Sequence, residues 1–144
     1  MIREIRAADR AQWDPLWRGY LSFYRTELPA GVTDVLWDRF FDAAEPLNGL
    51  VAEQDGKLLG FVHYVFHRST WEVENVCYLE DLFTAPEARG RGVGRALIGA
   101  VYDKARLAKS KRVYWMTHET NGQAMMLYDQ VADKPGFLQY CKAL

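Results

Sequence analysis

Tyr78-Leu-Glu-Asp-Leu-Phe-Thr-Ala-Pro-Glu-Ala-Arg-Gly-Arg-Gly-Val-Gly-Arg-Ala-Leu97 decides the reading of this chain. Its first part reads as a strand, because Val76, Cys77, Tyr78, Leu79, Leu82, Phe83 and Thr84 are β-branched, aromatic or apolar. Pro86 lacks an N–H and ends the ladder. Gly90, Gly92 and Gly94 then alternate with Arg89, Arg91, Val93 and Arg95. Directly afterwards Ala96, Leu97, Ala100, Val101, Ala105 and Ala108 recur at helical spacing. A glycine-rich turn therefore opens a helix straight after a strand. Glycine lets a backbone approach a ligand closely, and the free N–H groups and dipole of a helix start favour an anion. The implied ligand is a phosphate or pyrophosphate.

Two familiar phosphate loops do not fit. A dinucleotide fingerprint ends in Gly or Ala, but counting from Gly92 the last position is Leu97, and from Gly90 it is Arg95. A Walker loop needs Gly-Lys followed by Ser or Thr, which this sequence does not contain. The pattern present is Arg89-x-x-Gly92-x-Gly94.

The 144 residues suit a single domain, 1–144, and 49% hydrophobic content is enough for a sizeable core. A net charge of −1 argues against nucleic acid or an anionic membrane as partner. No run reaches membrane-spanning length, so a cytoplasmic protein is expected. Cys77 and Cys141 make neither a disulfide framework nor a zinc site, and both read as small buried hydrophobes.

Along the chain, Ile2 to Arg6 alternates as a short strand. Asp9 is a candidate cap for a helix carrying the stripe Trp13, Leu16, Trp17, Tyr20, Leu21 and Tyr24. Tyr20 and Tyr24 are either core or the lining of a substrate pocket. Thr33 is a candidate cap for a second helix that includes Val35, Leu36, Phe40 and Phe41. Asp55-Gly56 joins a hairpin of Gly49–Gln54 with Lys57–Phe66. The next strand begins near Trp71 or Glu72, and a helix follows from about Gly92 to Ala108. Residues Val113 to Met116 predict a fifth strand, Asn121 to Val131 a helix, and Gly136 to Cys141 a closing strand.

This order, β, α, α, β-hairpin, β, α, β, α, β, resembles that of the Gcn5-related N-acetyltransferases, whose acetyl-CoA pyrophosphate loop resembles Arg89 to Gly94. Asn121-x-x-Ala124-x-x-x-Tyr128 resembles that family's Asn-x-x-Ala-x-x-x-Tyr helix, and Gly136-Phe137 its closing-strand pair, here set further from the tyrosine by Val-Ala-Asp-Lys-Pro. Tyr78 to Phe83 is similar to the spermidine/spermine branch. Tyr114-Trp-x-Thr117-x-Glu119-x-Asn121 is similar to the yeast Hpa branch of histone and D-amino-acid acetyltransferases.

The resemblance implies an α/β fold with a mixed, mostly antiparallel sheet whose fourth and fifth strands splay apart. It implies an acetyl-CoA-dependent N-acetyltransferase, without metal, acting on a primary amine of a polyamine, an amino acid or a protein lysine by direct attack in a ternary complex. It places Leu82, Phe83 and Thr84 along pantetheine. It sets Arg89, Gly90, Arg91, Gly92, Val93, Gly94 and Arg95 around the pyrophosphate, and Asn121 and Tyr128 against the cofactor. Tyr128 would protonate the departing thiolate, and a backbone N–H near Leu82 would meet the oxyanion. Because a free amine has a pKa of about 10, a base is required. Glu80 is favoured over Asp81, since neighbours on a regular strand face opposite sides unless a bulge intervenes. The resemblance also implies a homodimer. The alternatives are an acetyl-CoA-binding regulatory domain without turnover and, disfavoured by glycine register, a nucleotide binder.

Overall fold

The computed structural model describes residues 1–144. One sheet runs through it in the order β1 (Ile2–Glu4), β2 (Leu47–Gln54), β3 (Lys57–His67), β4 (Val76–Thr84), β5 (Val113–Tyr114). Every neighbouring pair is antiparallel except β4 with β5, which is parallel. The β2–β3 hairpin turns at Asp55 and Gly56, both at positive φ, as a tight two-residue turn requires.

Helix α1 (Arg10–Phe23) buries Trp13, Leu16 and Trp17, the inner side of its aromatic stripe. Trp13 is fully buried and stacks on Trp17 at 5.6 Å. Tyr20 and Tyr24 lie at the margin of this core. Helix α2 (Val32–Arg39) contributes Trp37, and α3 (Val93–Leu107) sets Leu97, Ile98, Val101 and Ala105 into the core. Helix α4 (Gly122–Val131) is fastened to α3 by the Tyr102 hydroxyl, which donates to the Val131 carbonyl at 2.7 Å.

Several local expectations need correction. Asp9 does not cap α1. Its carboxylate accepts from the two terminal guanidinium nitrogens of Arg3, at 2.8 and 2.9 Å, and from the Arg6 N–H at 2.7 Å, so it ties β1 to the following turn. The Arg3 hydrogen bonds hold its pKa below the ordinary carboxylate value. Gly31, at φ 88, starts α2, while the Thr33 hydroxyl accepts the Trp17 indole N–H at 3.2 Å. Helix α2 stops at Arg39, ahead of Phe40 and Phe41. Strand β4 begins at Val76, with Trp71 and Val73 exposed before it. Cys77 is buried but Cys141 is exposed.

The largest departure is at the end of the sheet. β5 keeps only Val113 and Tyr114, and no strand forms at Gly136–Cys141. The chain leaves α4 through extended Ala132 and turns at Gly136, φ 90, so the segment runs off the sheet with Phe137, Leu138 and Tyr140 exposed. β5 offers only Val113 and Tyr114 as a partner, too short an edge for a further strand to pair along.

Candidate active site

The parting of β4 and β5 makes the site. Their pairing is Cys77 with Val113 and Tyr78 with Tyr114, and it ends there, with the two tyrosine rings stacked at 4.9 Å. From Leu79 to Thr84, β4 keeps its bonds to β3 but has no strand on its other side. Backbone N–H and C=O groups pointing that way need a partner, and an extended amide-bearing ligand can supply one. Leu82, Phe83 and Thr84 lie on this stretch.

Beyond Thr84, a single turn (Pro86–Ala88) leads to the glycine loop. Gly90 and Gly92 have φ of 76 and 79, the left-handed region where glycine is at ease, and a Cβ at either would meet nothing within 4 Å. The outer face of the loop is therefore open. Gly92 caps α3, whose first internal hydrogen bond runs from Ala96 N–H to Gly92 O at 3.0 Å. The N–H groups of Val93, Gly94 and Arg95 thus have no partner within the helix and are free for an anion. Gly94 is placed differently: a Cβ there would rest against Leu127 of α4 at 3.4 Å, an ordinary van der Waals contact.

The arginines are less committed to the loop. Arg89 bends back to the Thr84 carbonyl at 3.3 Å with its guanidinium over the Phe83 ring at 5.7 Å. Arg91 bonds to Gln54 and Arg95 to Gln130. Three cations at and beyond the end of α3 are paired too: Lys104 with Glu4, Arg106 with Asp103 and Arg112 with Glu72.

A cavity of about 700 Å³ lies in the β4/β5 gap, lined by Tyr78 to Leu82 on one side and Trp115 to Glu119 on the other. Tyr128 closes it from α4, its ring edge-on to Trp115 at 5.4 Å. Burial, with the Tyr24 hydroxyl beside it, pushes the Tyr128 pKa up to about 12. Its hydroxyl keeps a proton to give across the working pH range. Asn121 precedes α4 and donates its amide to the Thr117 hydroxyl at 3.2 Å. A second cavity of about 870 Å³ opens between α1 and α2. Tyr20, Tyr24, Glu80 and Asp81 line both cavities.

The alternation expected of Glu80 and Asp81 does not hold. The register passes from His63 with Asp81 to Tyr64 with Leu79, so Glu80 is the extra residue of a β-bulge. The bulge lets both carboxylates reach the same junction. Burial first, then the Asp81 charge, raises the Glu80 pKa above its usual value. Tyr20 and Tyr24 are shifted up by burial and by Asp81.

One participant went unread in the sequence. His63 on β3 is 1% exposed and contacts Asp81 through Nδ1 at 2.9 Å, and Trp13 donates to its Nε2 at 3.1 Å. A single histidine within the apolar run Leu58 to Phe66 was the signal available. His67, by contrast, is occupied with Tyr114 and the Arg68 carbonyl, outside both cavities.

A gap in a splayed sheet, an anion loop beside it and a carboxylate–tyrosine junction between two cavities could take an extended, phosphate-bearing ligand from one side and a cationic one from the other. The match is to the Acetyltransferase (GNAT) family over residues 13–132, and the chain belongs to that family. It is 37% identical over 142 residues to the D-amino-acid N-acetyltransferase HPA3 of Saccharomyces cerevisiae, covering 97% of this chain and 88% of that one. It is 30% identical over 142 residues to the N-acetyltransferase YhfO of Bacillus subtilis, covering 97% and 95%. Its fold is like that of AAC(6')-Iy, solved with the bisubstrate analogue CoA-S-monomethyl-acetylneamine, with a TM-score of 0.85 at 18% identity over 100% of this chain and 97% of that one. The protein is an acetyl-CoA-dependent N-acetyltransferase.

Proposed function

We propose that the acceptor is the primary amine of a small amino acid with an apolar side chain, attacked directly in a ternary complex at the junction of the two cavities. The observation that carries this reading is the sharing of Glu80, Asp81, Tyr20 and Tyr24 between a cavity in the β4/β5 gap and another between α1 and α2. A thioester entering from one side and an amine from the other would meet there. The second cavity is lined by Trp17, Leu21, Leu28, Val32, Val35 and Leu36, with the two carboxylates in its wall and Arg39, whose Nε is 3.7 Å from Glu45, as its cation. Those groups suit an ammonium, an apolar body and a carboxylate in one small molecule. A polyamine fits less well: Asp34 is bonded to Arg10, and Glu72 to Arg112, so the acids do not form a strip. The name of the yeast relative points to amino acids as well.

In this mechanism Glu80 accepts a proton from the ammonium, directly or through water. Its raised pKa makes it a stronger base than an ordinary carboxylate, closer to the pH at which it works. The Tyr128 hydroxyl donates to the departing sulfur. The Val93, Gly94 and Arg95 amides hold the pyrophosphate, the open edge of β4 orients pantetheine, and Asn121 offers its amide to the same ligand. We also propose a homodimer, supported by the exposed apolar segment Phe137, Leu138, Tyr140 and Leu144; light scattering that finds only monomer would overturn that part. The test of the acceptor is an amine panel with acetyl-CoA, following release of free CoA. Both enantiomers of apolar amino acids should turn over, and spermidine should not. Preference for spermidine or a lysine-bearing peptide would overturn the acceptor assignment.

A further inference from the structure

Trp13, His63 and Asp81 form a one-way hydrogen-bond relay from the core to the cleft. The Trp13 indole N–H only donates, so His63 Nε2, at 3.1 Å, must accept and carries no proton. The imidazole proton is therefore on Nδ1, which donates to Asp81 Oδ2 at 2.9 Å. The ring has little freedom to choose otherwise. Phe61 stacks on it at 4.5 Å, Phe40 lies at 4.8 Å and Trp17 at 5.3 Å. Protonating Nε2 would set two N–H donors against each other inside this aromatic box.

We infer that His63 is a positioning residue for acetyl transfer: locked by Trp13, it pins Asp81 as the stationary counter-ion for the acceptor's ammonium and leaves Glu80 as the carboxylate that takes the proton. The inference rests on the reading that the amine binds at the cavity junction. The bulge supports the division of labour. Asp81 stands opposite His63 in the register, fixed on both strands, whereas Glu80 is the extra residue with no partner across the sheet. The Asp81 side chain is 14% exposed and lines both cavities, so its carboxylate reaches the cleft although one oxygen is held by His63. The Tyr20 hydroxyl borders the same carboxylate. A buried imidazole has a cost in an apolar strand unless both nitrogens are used. Here both are, and one of the two partners belongs to the active site.

The test has a spectroscopic and a kinetic arm on the full chain. Long-range proton–nitrogen spectra of the histidine-labelled protein should show His63 as the Nδ1–H tautomer, and Trp13→Phe, which keeps an aromatic ring in the core, should release it toward Nε2–H. His63→Phe should raise the KM for the amine by about 10- to 100-fold, the range of a lost hydrogen bond to a charged group. The KM for acetyl-CoA should stay within about 2-fold, a change too small to signal a lost contact. His63→Asn puts an amide N–H near the place of Nδ1 and should recover most of the loss. An Nε2–H tautomer in the unaltered protein overturns the relay, whether or not His63→Phe folds. So does an unchanged amine KM in folded His63→Phe, or equal losses in His63→Phe and His63→Asn. If the unaltered protein acetylates no amine, the proposed function fails while the tautomer measurement still stands or falls by itself.

Discussion

The two walls of the cleft are built from different materials. The wall formed by β4 and the glycine loop works through backbone: an unpaired strand edge, the left-handed Gly90 and Gly92, and the free amides of Val93, Gly94 and Arg95. The wall facing α1 and α2 works through side chains, and its Asp81 is held by residues distant in sequence. Asp81 is held by His63 from the neighbouring strand, and His63 by Trp13 from a helix. A backbone site needs only the right turn after the right strand, whereas a side-chain site needs the whole core behind it.

The contrast predicts where single atoms matter. Tyr128→Phe keeps the ring that meets Trp115 and removes only the hydroxyl. Turnover should fall by about 10²- to 10⁴-fold, the usual loss of a general acid, while acetyl-CoA binding changes little. Pre-steady-state kinetics with an accepted amine would check this. An unchanged rate of thioester cleavage would remove Tyr128 from the chemistry.

The same contrast explains what the sequence revealed. The strand, proline and glycine-rich turn from Tyr78 to Leu97 are local instructions, and the structure follows them nearly residue by residue. Helical periodicity likewise located the aromatic face of α1. The roles of Asp9 and Thr33 were missed because each is a plausible cap taken up by a partner elsewhere, Arg3 and Trp17 respectively. The Glu80 bulge could be named only as an exception, because strict alternation is a rule of single strands and the extra residue exists only against β3. The closing strand was misread because β-propensity describes a segment and not its neighbour, and β5 diverges before it could pair.

Glu80→Gln should act on the side-chain wall in a pH-dependent way. The carboxylate is needed when the amine arrives protonated, so the loss should be largest at low pH and shrink toward the amine's own pKa of about 10. Because the Glu80 pKa is raised, the acid limb of the kcat/KM profile should lie above the ordinary carboxylate value of about 4.3 and disappear in the variant. At pH 6 the expected loss is about 100-fold, the low end for a general base. An equal loss at every pH would make Glu80 a binding group.

Gly92→Asp probes the backbone wall. The left-handed conformation suits Asp better than most side chains, and a Cβ there would meet open space, so the fold should survive. The new carboxylate would sit at the start of α3, repelling a pyrophosphate and competing for its amides. Acetyl-CoA affinity should fall about 10- to 100-fold by calorimetry, as for lost charge-assisted hydrogen bonds. Unchanged binding to a folded variant would mean the loop is only a turn.

The smallest effect separates backbone from side chain within the loop itself. Arg91 is exposed and its guanidinium is engaged with Gln54 on the hairpin. If the amides carry the anion, Arg91→Ala removes only a solvated charge nearby. Affinity for acetyl-CoA should drop by about 2- to 5-fold at low salt, consistent with an exposed ion pair. The difference should fade as salt is raised, since a Debye length of about 10 Å at 0.1 M screens exposed charges. Gly92→Asp should keep most of its defect under the same salt, because it occupies the amides directly. If Arg91→Ala instead matched Gly92→Asp in size and kept its effect in salt, the loop would bind through its arginines, and the two walls of the cleft would be alike after all.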